Sequence, residues 1–313
     1  MLMVQASNGD ATEELRNALG TRYQLVRELG RGGAGIVHLG RDTLLHRTVA
    51  IKALRPELAT IAQHRDRMIR EARLTGQLQH PGLMPVYDII VTERIVAFVM
   101  PYVATSVRRM VAAQGPASVE STRAILLDLA AVLGHVHRGG VVHRDVKPDN
   151  VLLAEERGDR RTLLADFGAA SVPMADYGPN GLPGPEGTPS FMSPEQALHP
   201  DAVDHRSDLY ALGVVGYFML AGTLPFRSAD VRAVIAQQCA ELYAPLATRR
   251  SDVPASLVGA IDRCLKADPD ERWSSADEFA RAVKSPVRGP RPWRRIAAVA
   301  ALTLRHVVIA HHS

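Results

Sequence analysis

The stretch VVHRDVKPDNVLL, residues 141–153, is the most informative part of the sequence because it places strongly polar side chains between two apolar anchors. The anchors, residues 141–142 and 151–153, are typical of short buried strands. Between them lie a histidine, an arginine, a lysine, an asparagine and two aspartates. Burying such groups without partners costs several kcal/mol each. The stretch therefore predicts a loop whose charges are satisfied by a bound ligand and by each other.

The apolar patterns on either side of this loop divide the chain into a β-rich part and a helical part. Up to residue 103, branched apolar runs predict strands in YQLVREL, IVHLGR, TVAIKAL, MPVYDII and IVAFVM, with one helix over residues 61–78. Beyond residue 103, helical periodicity predicts helices over residues 119–138, 207–221, 229–242, 254–267 and 275–284. The expected fold class is therefore α+β, with a small sheet lobe followed by a larger, mostly helical lobe.

These patterns also predict the domain boundaries. Residues 1–20 form an N-terminal extension with a short helix, for which Asp10 is the predicted N-cap, Glu13 its capping-box partner and Gly20 the C-cap. Residues 21–284 form the main domain, with its first lobe over about 21–103 and its second over about 104–284. Residues 285–313 form a basic linker and a short apolar tail.

Composition excludes several function classes. A chain of 313 residues with 46% hydrophobic and 22% charged residues is expected to fold. The net charge of +4 comes without a basic stripe interleaved with aromatic residues, so nucleic acid is not an expected partner. Cys239 and Cys264 lack metal-binding spacing and indicate reduced thiols in the cytoplasm. The N-terminal sequence lacks the features of a secretory signal.

The C-terminal tail leaves two alternatives open. Its uninterrupted apolar run, residues 296–304, is much shorter than the roughly 20 residues that a membrane span needs. A soluble tail helix is the expectation, and membrane association through residues 293–313, as an interfacial helix or a degenerate anchor, is the alternative.

A glycine-rich stretch, LGRGGAGIV, spaces Gly30, Gly32 and Gly35 as G-x-G-x-x-G. In a dinucleotide-binding unit this pattern opens a helix, but here strand-like sequence continues after it. The pattern therefore favours a hairpin whose backbone N–H groups lie over phosphates, because glycines leave no side chains in the way.

Charged residues that follow apolar strands complete a chemical pattern. The alternation in VAIK places Ala50 and Lys52 on one face of a strand, where Lys52 is a candidate phosphate ligand and Glu71 its carboxylate partner. In the opening stretch, Asp145 is placed to accept a proton from a hydroxyl and Lys147 to neutralise a phosphate. Asn150 and Asp166 offer oxygen ligands for Mg²⁺.

Taken singly, each of these residues is an ordinary solvated or capping residue. Together and in this order, over residues 23–283, they resemble the eukaryotic-type protein kinase superfamily, and the bacterial Ser/Thr kinases in particular. The resemblance implies that Lys52, paired with Glu71, holds the α- and β-phosphates of ATP and that Asp145 is the catalytic base. It also implies that Asn150 and Asp166 bind Mg²⁺, with Mn²⁺ as the alternative cation.

The resemblance further implies a hinge for the nucleotide after the strand IVAFVM. Met100 is then the gatekeeper and Val103 the backbone donor to adenine, while Pro101 stands where the family usually has an acidic residue. Proline lacks an N–H group but keeps its carbonyl, which can still meet the adenine amino group. The ATP-binding residues implied are Leu29, Gly30, Arg31, Gly32, Gly33, Ala34, Gly35, Ile36, Val37, Ala50, Lys52, Met100, Pro101 and Val103.

The substrate class follows from the same resemblance. Lys147, two residues after the implied base, is similar to the Ser/Thr branch, so proteins with Ser or Thr hydroxyls are the expected substrates. GTPSFMSPEQ resembles the end of an activation segment, with Thr188 in contact with the catalytic aspartate and Glu195 paired with Arg272. Asp208 resembles the acid that braces the catalytic loop.

The activation segment also departs from the family. Arg144 is normally neutralised by a phosphothreonine, but the corresponding positions here read GPE. We hypothesise that Glu186 or Asp176 supplies part of that negative charge, so that loop phosphorylation is not the main switch. The sequence shows no sensor domain after the kinase-like region, so the activating signal is expected to reach it through the short ends or an activating partner.

Two other functions are weighed against an active protein kinase. A pseudokinase, acting as an ATP-binding scaffold, usually lacks the lysine, the base or the metal aspartate, whereas Lys52, Asp145 and Asp166 are all present. A small-molecule kinase of the aminoglycoside type lacks an activation segment ending in Ser-Pro-Glu, and this chain has one.

Overall fold

The computed structural model describes residues 8–32, 35–156, 158–167 and 189–284. The first lobe is an antiparallel sheet with the strand order β1-β2-β3-β5-β4. Its strands are β1 (Tyr23–Arg31), β2 (Gly35–Asp42), β3 (Arg47–Leu54), β4 (Asp88–Val91) and β5 (Val96–Pro101). Its helices are α1 (Asn8–Leu19), α2 (Pro56–Ala59) and α3 (Ala62–Gln77).

Alternation along β3 sets the two faces of this sheet. Val49 and Ile51 are fully buried in one cluster with Leu15 and Leu19 of α1. Because side chains alternate along a strand, Ala50 and Lys52 face the other side of the sheet. On that side, Nζ of Lys52 lies 5.4 Å from the centre of the Phe98 ring. Helix α1 thus covers the outer face of the sheet, while on the inner face Phe98 packs with Met68 and Ala72 of α3 beside Lys52.

Helix α1 differs in detail from its sequence signature. It begins at Asn8, so Asp10 lies in the first turn and the N-cap prediction is wrong. A carboxylate there still interacts favourably with the helix dipole. Glu13 forms an ion pair with Arg16 rather than a capping box. Gly20 ends the helix with a φ of 61°, in the left-handed region that favours glycine.

The second lobe is mostly helical, with a small sheet in the order β6-β7-β8. Its strands are β6 (Thr105–Ser106), β7 (Val151–Glu156) and β8 (Asp159–Leu164). Its helices are α4 (Val107–Gln114), α5 (Val119–Arg138), α6 (Pro194–Leu198), α7 (Arg206–Ala221), α8 (Val231–Cys239), α9 (Leu246–Arg249), α10 (Ala255–Cys264) and α11 (Ala276–Lys284). Within the described ranges, no helix is long and apolar enough to span a membrane. The predicted α+β class with two lobes is confirmed.

Helix α7 is the centre of the second lobe. It is buried along nearly its whole length, as its continuous apolar run predicts. Gly213 allows α10 to approach closely, because a Cβ atom there would lie 2.5 Å from Cβ of Cys264. Gly216 likewise faces Ile261 and Leu126, with a Cβ atom at 3.1 Å from each. These close contacts fix α7 against α10 and α5, and Asp208 in its first turn binds the loop quoted at the outset.

One predicted strand is wrong and another is shorter than predicted. Residues 141–142 are half-buried loop, because the backbone N–H groups of His143 and Arg144 are bound by the side chain of Asp208 instead of a neighbouring strand. Strand β4 begins at Asp88 rather than at Met84, because the N–H group of Met84 donates to the carbonyl of Leu164 in β8. In both places the backbone N–H groups find hydrogen-bond partners outside the predicted strand pairing.

Candidate active site

The glycine-rich stretch forms the hairpin between β1 and β2. The N–H group of Gly32 donates to the carbonyl of Gly35 at 2.8 Å, and Gly33 and Ala34 lie outside the described residues. A Cβ atom on Gly35 would meet the carbonyl oxygen of Ala53 at 3.0 Å, so only glycine fits without movement. Arg31 at the hairpin is bonded to Glu28 at 2.8 Å, and Leu29 and Ile36 are half-buried.

The strand register brings the predicted nucleotide residues onto the inner face of the sheet. Gly30 pairs with Val37, Val37 pairs with Lys52, and Ala50 pairs with Met100 across neighbouring strands. Paired residues of antiparallel strands share a face. The hairpin, the lysine and the predicted gatekeeper therefore border one cleft between the lobes.

Lys52 joins the two lobes through two carboxylates. Its Nζ lies 3.2 Å from Glu71 Oε1 on α3 and 2.8 Å from Asp166 Oδ1, which follows β8. Burial opposes the charge of Lys52, but the carboxylates of Asp166 and Glu71 outweigh it and raise the pKa of the lysine. Burial raises the pKa of Glu71 to about 7, against the attraction of Lys52. This network holds α3 and the end of β8 together.

Asp145 lies at the centre of the loop and is bonded by its neighbours. Lys147 Nζ lies 2.9 and 2.7 Å from its two carboxylate oxygens, and Asn150 Nδ2 lies 2.9 Å from Oδ2. Burial raises the pKa of Asp145, while the positive charge of Lys147 opposes that rise. A carboxylate with a raised pKa and a fixed orientation is suited to accept a proton.

Asp208, at the N-terminus of α7, fixes the backbone of this loop. Its carboxylate accepts the N–H groups of His143 at 2.8 Å and Arg144 at 2.7 Å, and lies 2.7 Å from His137 Nε2. These bonds hold Arg144 at a φ of 65°, a conformation that is costly for a residue other than glycine. Asp208 is 1% exposed, so its contacts are shielded from water.

Asn150 and Asp166 are the residues that could hold a cation. The N–H group of Ala165 donates to the carbonyl of Asn150 at 2.9 Å, which holds the end of β8 beside the loop. The amide hydrogens of Asn150 go to Asp145, so the amide presents its oxygen to a ligand. An amide oxygen and a carboxylate are the hard donors that Mg²⁺ prefers, so this pair fits that cation.

The predicted hinge lies where β5 ends. Pro101 pairs with Val49 at the last position of the strand, and Val103 lies between β5 and β6. Tyr102 and Val103 are half-buried at this junction. The structure therefore places the predicted adenine contacts at the edge of the cleft that contains Lys52.

Below the loop, Glu195 and Arg272 form a buried ion pair. Nη1 and Nη2 of Arg272 each lie 2.7 Å from one carboxylate oxygen of Glu195, and Ser207 Oγ also donates to that carboxylate. Burial raises the pKa of Glu195, but the bonds from Arg272 outweigh it, and the net shift is downward. Thr188, Glu186 and Asp176 lie outside the described residues, so the hypothesis about the acidic residues stays a prediction.

Sequence reasoning missed several residues that support the loop. Gln196 donates to the carbonyl of Arg144 at 3.0 Å and completes a capping box with Ser193, a pattern that the spacing Ser-x-x-Gln would have revealed. His137 contacts Asp208, and the His143 ring packs on Phe167 at 4.4 Å. No sequence pattern distinguishes His137 from a surface histidine, because its partner lies in another helix.

A small antiparallel lobe, a helical lobe and a cleft that joins Lys52, Glu71 and Asp166 beside a loop centred on Asp145 define the class of protein-kinase-like domains. The chain belongs to the protein kinase domain family, whose family model matches residues 23–286.

Known relatives agree with this assignment. The chain is 36% identical over 268 residues to the serine/threonine-protein kinase PknB of Mycolicibacterium smegmatis, which covers 83% of this chain and 42% of that protein. It is 35% identical over 267 residues to the serine/threonine-protein kinase pkn2 of Myxococcus xanthus, covering 84% of this chain and 32% of that protein. The chain thus spans less than half the length of these curated relatives.

Among solved structures, the crystal structure of the Mycobacterium tuberculosis PknI kinase domain matches with a TM-score of 0.62 and 32% sequence identity. The match covers 84% of this chain and 95% of that chain. The similarity therefore extends over both lobes of the kinase domain.

Proposed function

We propose that this chain is a Ser/Thr protein kinase that transfers the γ-phosphoryl group of ATP to a protein hydroxyl. The observation that carries the proposal is the double contact of Lys52, which touches Glu71 of one lobe and Asp166 of the other beside Asp145. A lysine held in this way supports a phosphate-binding role for Lys52 in the same cleft as the proposed base. The similarity to bacterial serine/threonine-protein kinases supports the choice of acceptor.

Each residue has one role in the proposed reaction. Asp145 accepts the proton of the substrate hydroxyl while the hydroxyl oxygen forms a bond to the γ-phosphorus of ATP. The bond between that phosphorus and the oxygen bridging to the β-phosphate breaks, and ADP leaves. Lys147 and Lys52 offset negative charge on the phosphates. Asn150 and Asp166 would hold Mg²⁺, which supplies further charge neutralisation when bound. Positioning and electrostatics therefore provide most of the catalysis.

The remaining site residues and boundaries belong to the same proposal. The kinase domain spans residues 21–284, divided between the lobes near residue 103, and acts in the cytoplasm on proteins with Ser or Thr hydroxyls. The hairpin residues 29–37, Ala50, Met100, Pro101 and Val103 contact ATP. An activating partner supplies the input signal.

The experiment that tests the proposal compares the wild type with Asp145→Asn. Purified proteins are incubated with Mg·ATP and a generic protein substrate, and phosphate on Ser or Thr is counted by mass spectrometry. We expect the variant to lose about 10²–10⁴-fold in turnover, because the asparagine cannot accept the proton. Nucleotide binding, measured by calorimetry, is expected to persist.

The control is Arg138→Ala, which removes an exposed arginine at the end of α5 whose guanidinium is bonded to Asp277 on α11 and not to the loop. It should keep wild-type turnover. Wild-type turnover in Asp145→Asn would contradict the assignment of the base. Nucleotide binding without phosphate transfer by the wild type would instead support an ATP-binding scaffold.

A further inference from the structure

Asp149 is a carboxylate beside the catalytic loop that the proposed reaction does not use. It directly precedes Asn150, whose side chain donates to Asp145, so it lies close to where a substrate hydroxyl would approach. Its side chain is 48% exposed. An exposed carboxylate at this place would attract a basic side chain of a substrate.

Arg108 forms an ion pair with this carboxylate. Its Nε and Nη2 atoms each lie 3.1 Å from Oδ2 of Asp149. The guanidinium group also lies over two rings, 5.4 Å from the centre of Phe191 and 5.0 Å from that of Phe218. Each ring adds an attraction for the cation.

The backbone of Arg108 is fixed to the same loop. Its N–H group donates to the carbonyl of Pro148 at 3.0 Å, and Arg108 lies in the first turn of α4, two residues after the N-cap Ser106. A group tethered in this way has a high effective concentration at its partner. Asp149 stays 48% exposed with Arg108 in place, so a basic side chain of a substrate would share the carboxylate with the tethered guanidinium and meet its positive charge, which reduces the attraction.

Two basic side chains next to this pair among the described residues have partners of their own. Lys147 is bonded to Asp145, and Nη1 of Arg109 donates to the carbonyl of Ala104 at 2.9 Å. Among the described residues beside the loop, the Arg108–Asp149 pair is therefore a partly exposed pair that a charged residue flanking the acceptor would meet.

We propose that Arg108 is a specificity-determining residue, which occupies Asp149 as a substrate arginine would. Basic residues next to the phosphoacceptor then give no advantage, and the substrate class is Ser or Thr in neutral or acidic surroundings. This inference rests on the proposed kinase function and adds the substrate class to it.

The test uses Arg108→Gln, which retains a long side chain over the two rings but removes the charge. A set of peptides carries one serine among alanines, with a single arginine placed in turn at each position on either side. The measured quantity is kcat/KM for each arginine peptide divided by that for the all-alanine peptide. We expect ratios near one for the wild type.

In Arg108→Gln, the ratio is expected to rise about fivefold at one or two neighbouring positions, the size of an exposed ion pair. The gain should come from a lower KM, because substrate and transition state bind Asp149 equally. A variant that merely disturbed the structure would lower kcat for all peptides and leave the ratio unchanged.

Two further variants make the assignment specific. Arg108→Gln combined with Asp149→Asn should lose the arginine gain, and Asp149→Asn alone should favour peptides with glutamate at the same positions, because Arg108 is then uncovered. Arg138→Ala, which breaks an exposed Arg–Asp pair elsewhere, should leave every ratio unchanged.

Two results would overturn this inference alone: a wild type that already prefers arginine peptides, or transfer by Arg108→Gln with unchanged ratios. Failure of the wild type to phosphorylate any peptide or a generic protein would contradict the proposed function, and the inference would fall with it.

Discussion

The two lobes each contain a buried ion pair, and the two pairs are built differently. In the first lobe, Nζ of Lys52 lies 3.2 Å from Glu71 Oε1, and it also reaches Asp166 Oδ1 of the second lobe at 2.8 Å. In the second lobe, Arg272 donates two hydrogen bonds of 2.7 Å to the carboxylate of Glu195. Arg272 also donates to the carbonyls of Lys266, Ala267 and Arg206, so each of its three guanidinium nitrogens has a hydrogen-bond partner.

The pKa values of the two acids move in opposite directions. Burial raises the pKa of both carboxyl groups. The hydrogen bonds and charge of Arg272 outweigh burial at Glu195, whose pKa lies below its ordinary value, whereas Lys52 does not outweigh burial at Glu71, whose pKa is about 7. A bidentate, fully bonded pair stabilises the charged acid, whereas a shared amine does so only in part. We infer that the Arg272 pair serves the fold, and that the Lys52 network keeps its bonding capacity for phosphates.

Arg272→Met should have the largest effect. It leaves Glu195 buried without its partner, so we expect the free energy of unfolding, measured by urea titration, to fall by about 3–5 kcal/mol. The control Arg138→Ala removes a pair whose side chains are 64% and 67% exposed and should cost less than about 1 kcal/mol. A loss in Arg272→Met as small as that of the control would refute the structural role.

Glu71→Gln should separate activity from stability. Because burial raises the pKa of Glu71 to about 7, the folded state disfavours its carboxylate, so an uncharged amide of the same size should not lower the free energy of unfolding at neutral pH and is expected to raise it. Lys52 loses one of its two orienting charges, so kcat/KM is expected to fall about 100-fold, as for a misplaced catalytic group.

The matched control for this variant is Glu57→Gln in the same lobe, where the acid is exposed and 3.8 Å from Arg55. It should change neither stability nor kcat/KM. If Glu71→Gln lost several kcal/mol of stability while retaining activity, the contrast between the two pairs would be reversed.

The sequence carried enough information to predict the fold class and to bring the candidate site together. Lys52 lies on an alternating strand and Asp166 directly follows an apolar one, so local patterns place both at strand ends or faces. The apolar pair at residues 141–142 was misread, since so short a run does not distinguish a strand from an extended loop.

The contacts that orient the loop could not be predicted. His137 and Asp208 are 71 residues apart, and Arg108 and Asp149 are 41 apart. Periodicity reports which face a residue occupies within one element, but not which element packs against it. These pairs depend on how α4, α5 and α7 meet, which only the folded chain determines.

The dependence of stability on pH should show the smallest effect, but it distinguishes the pairs by sign. The folded-state pKa of Glu195 lies below its ordinary value of 4.5, so its stabilisation is present above pH 4.5 and is lost as the pH falls through the lowered pKa. The Tm difference between the wild type and Glu195→Gln should therefore narrow by a few degrees in acid.

Glu71 has a raised pKa, so relative to Glu71→Gln the wild type should gain stability as the pH falls from about 7 toward 4.5. Thermal melts of the wild type and both variants across this range test the comparison directly, since titrations common to all three proteins cancel in the differences. Shifts of the same sign would show that the two pairs are not electrostatically distinct.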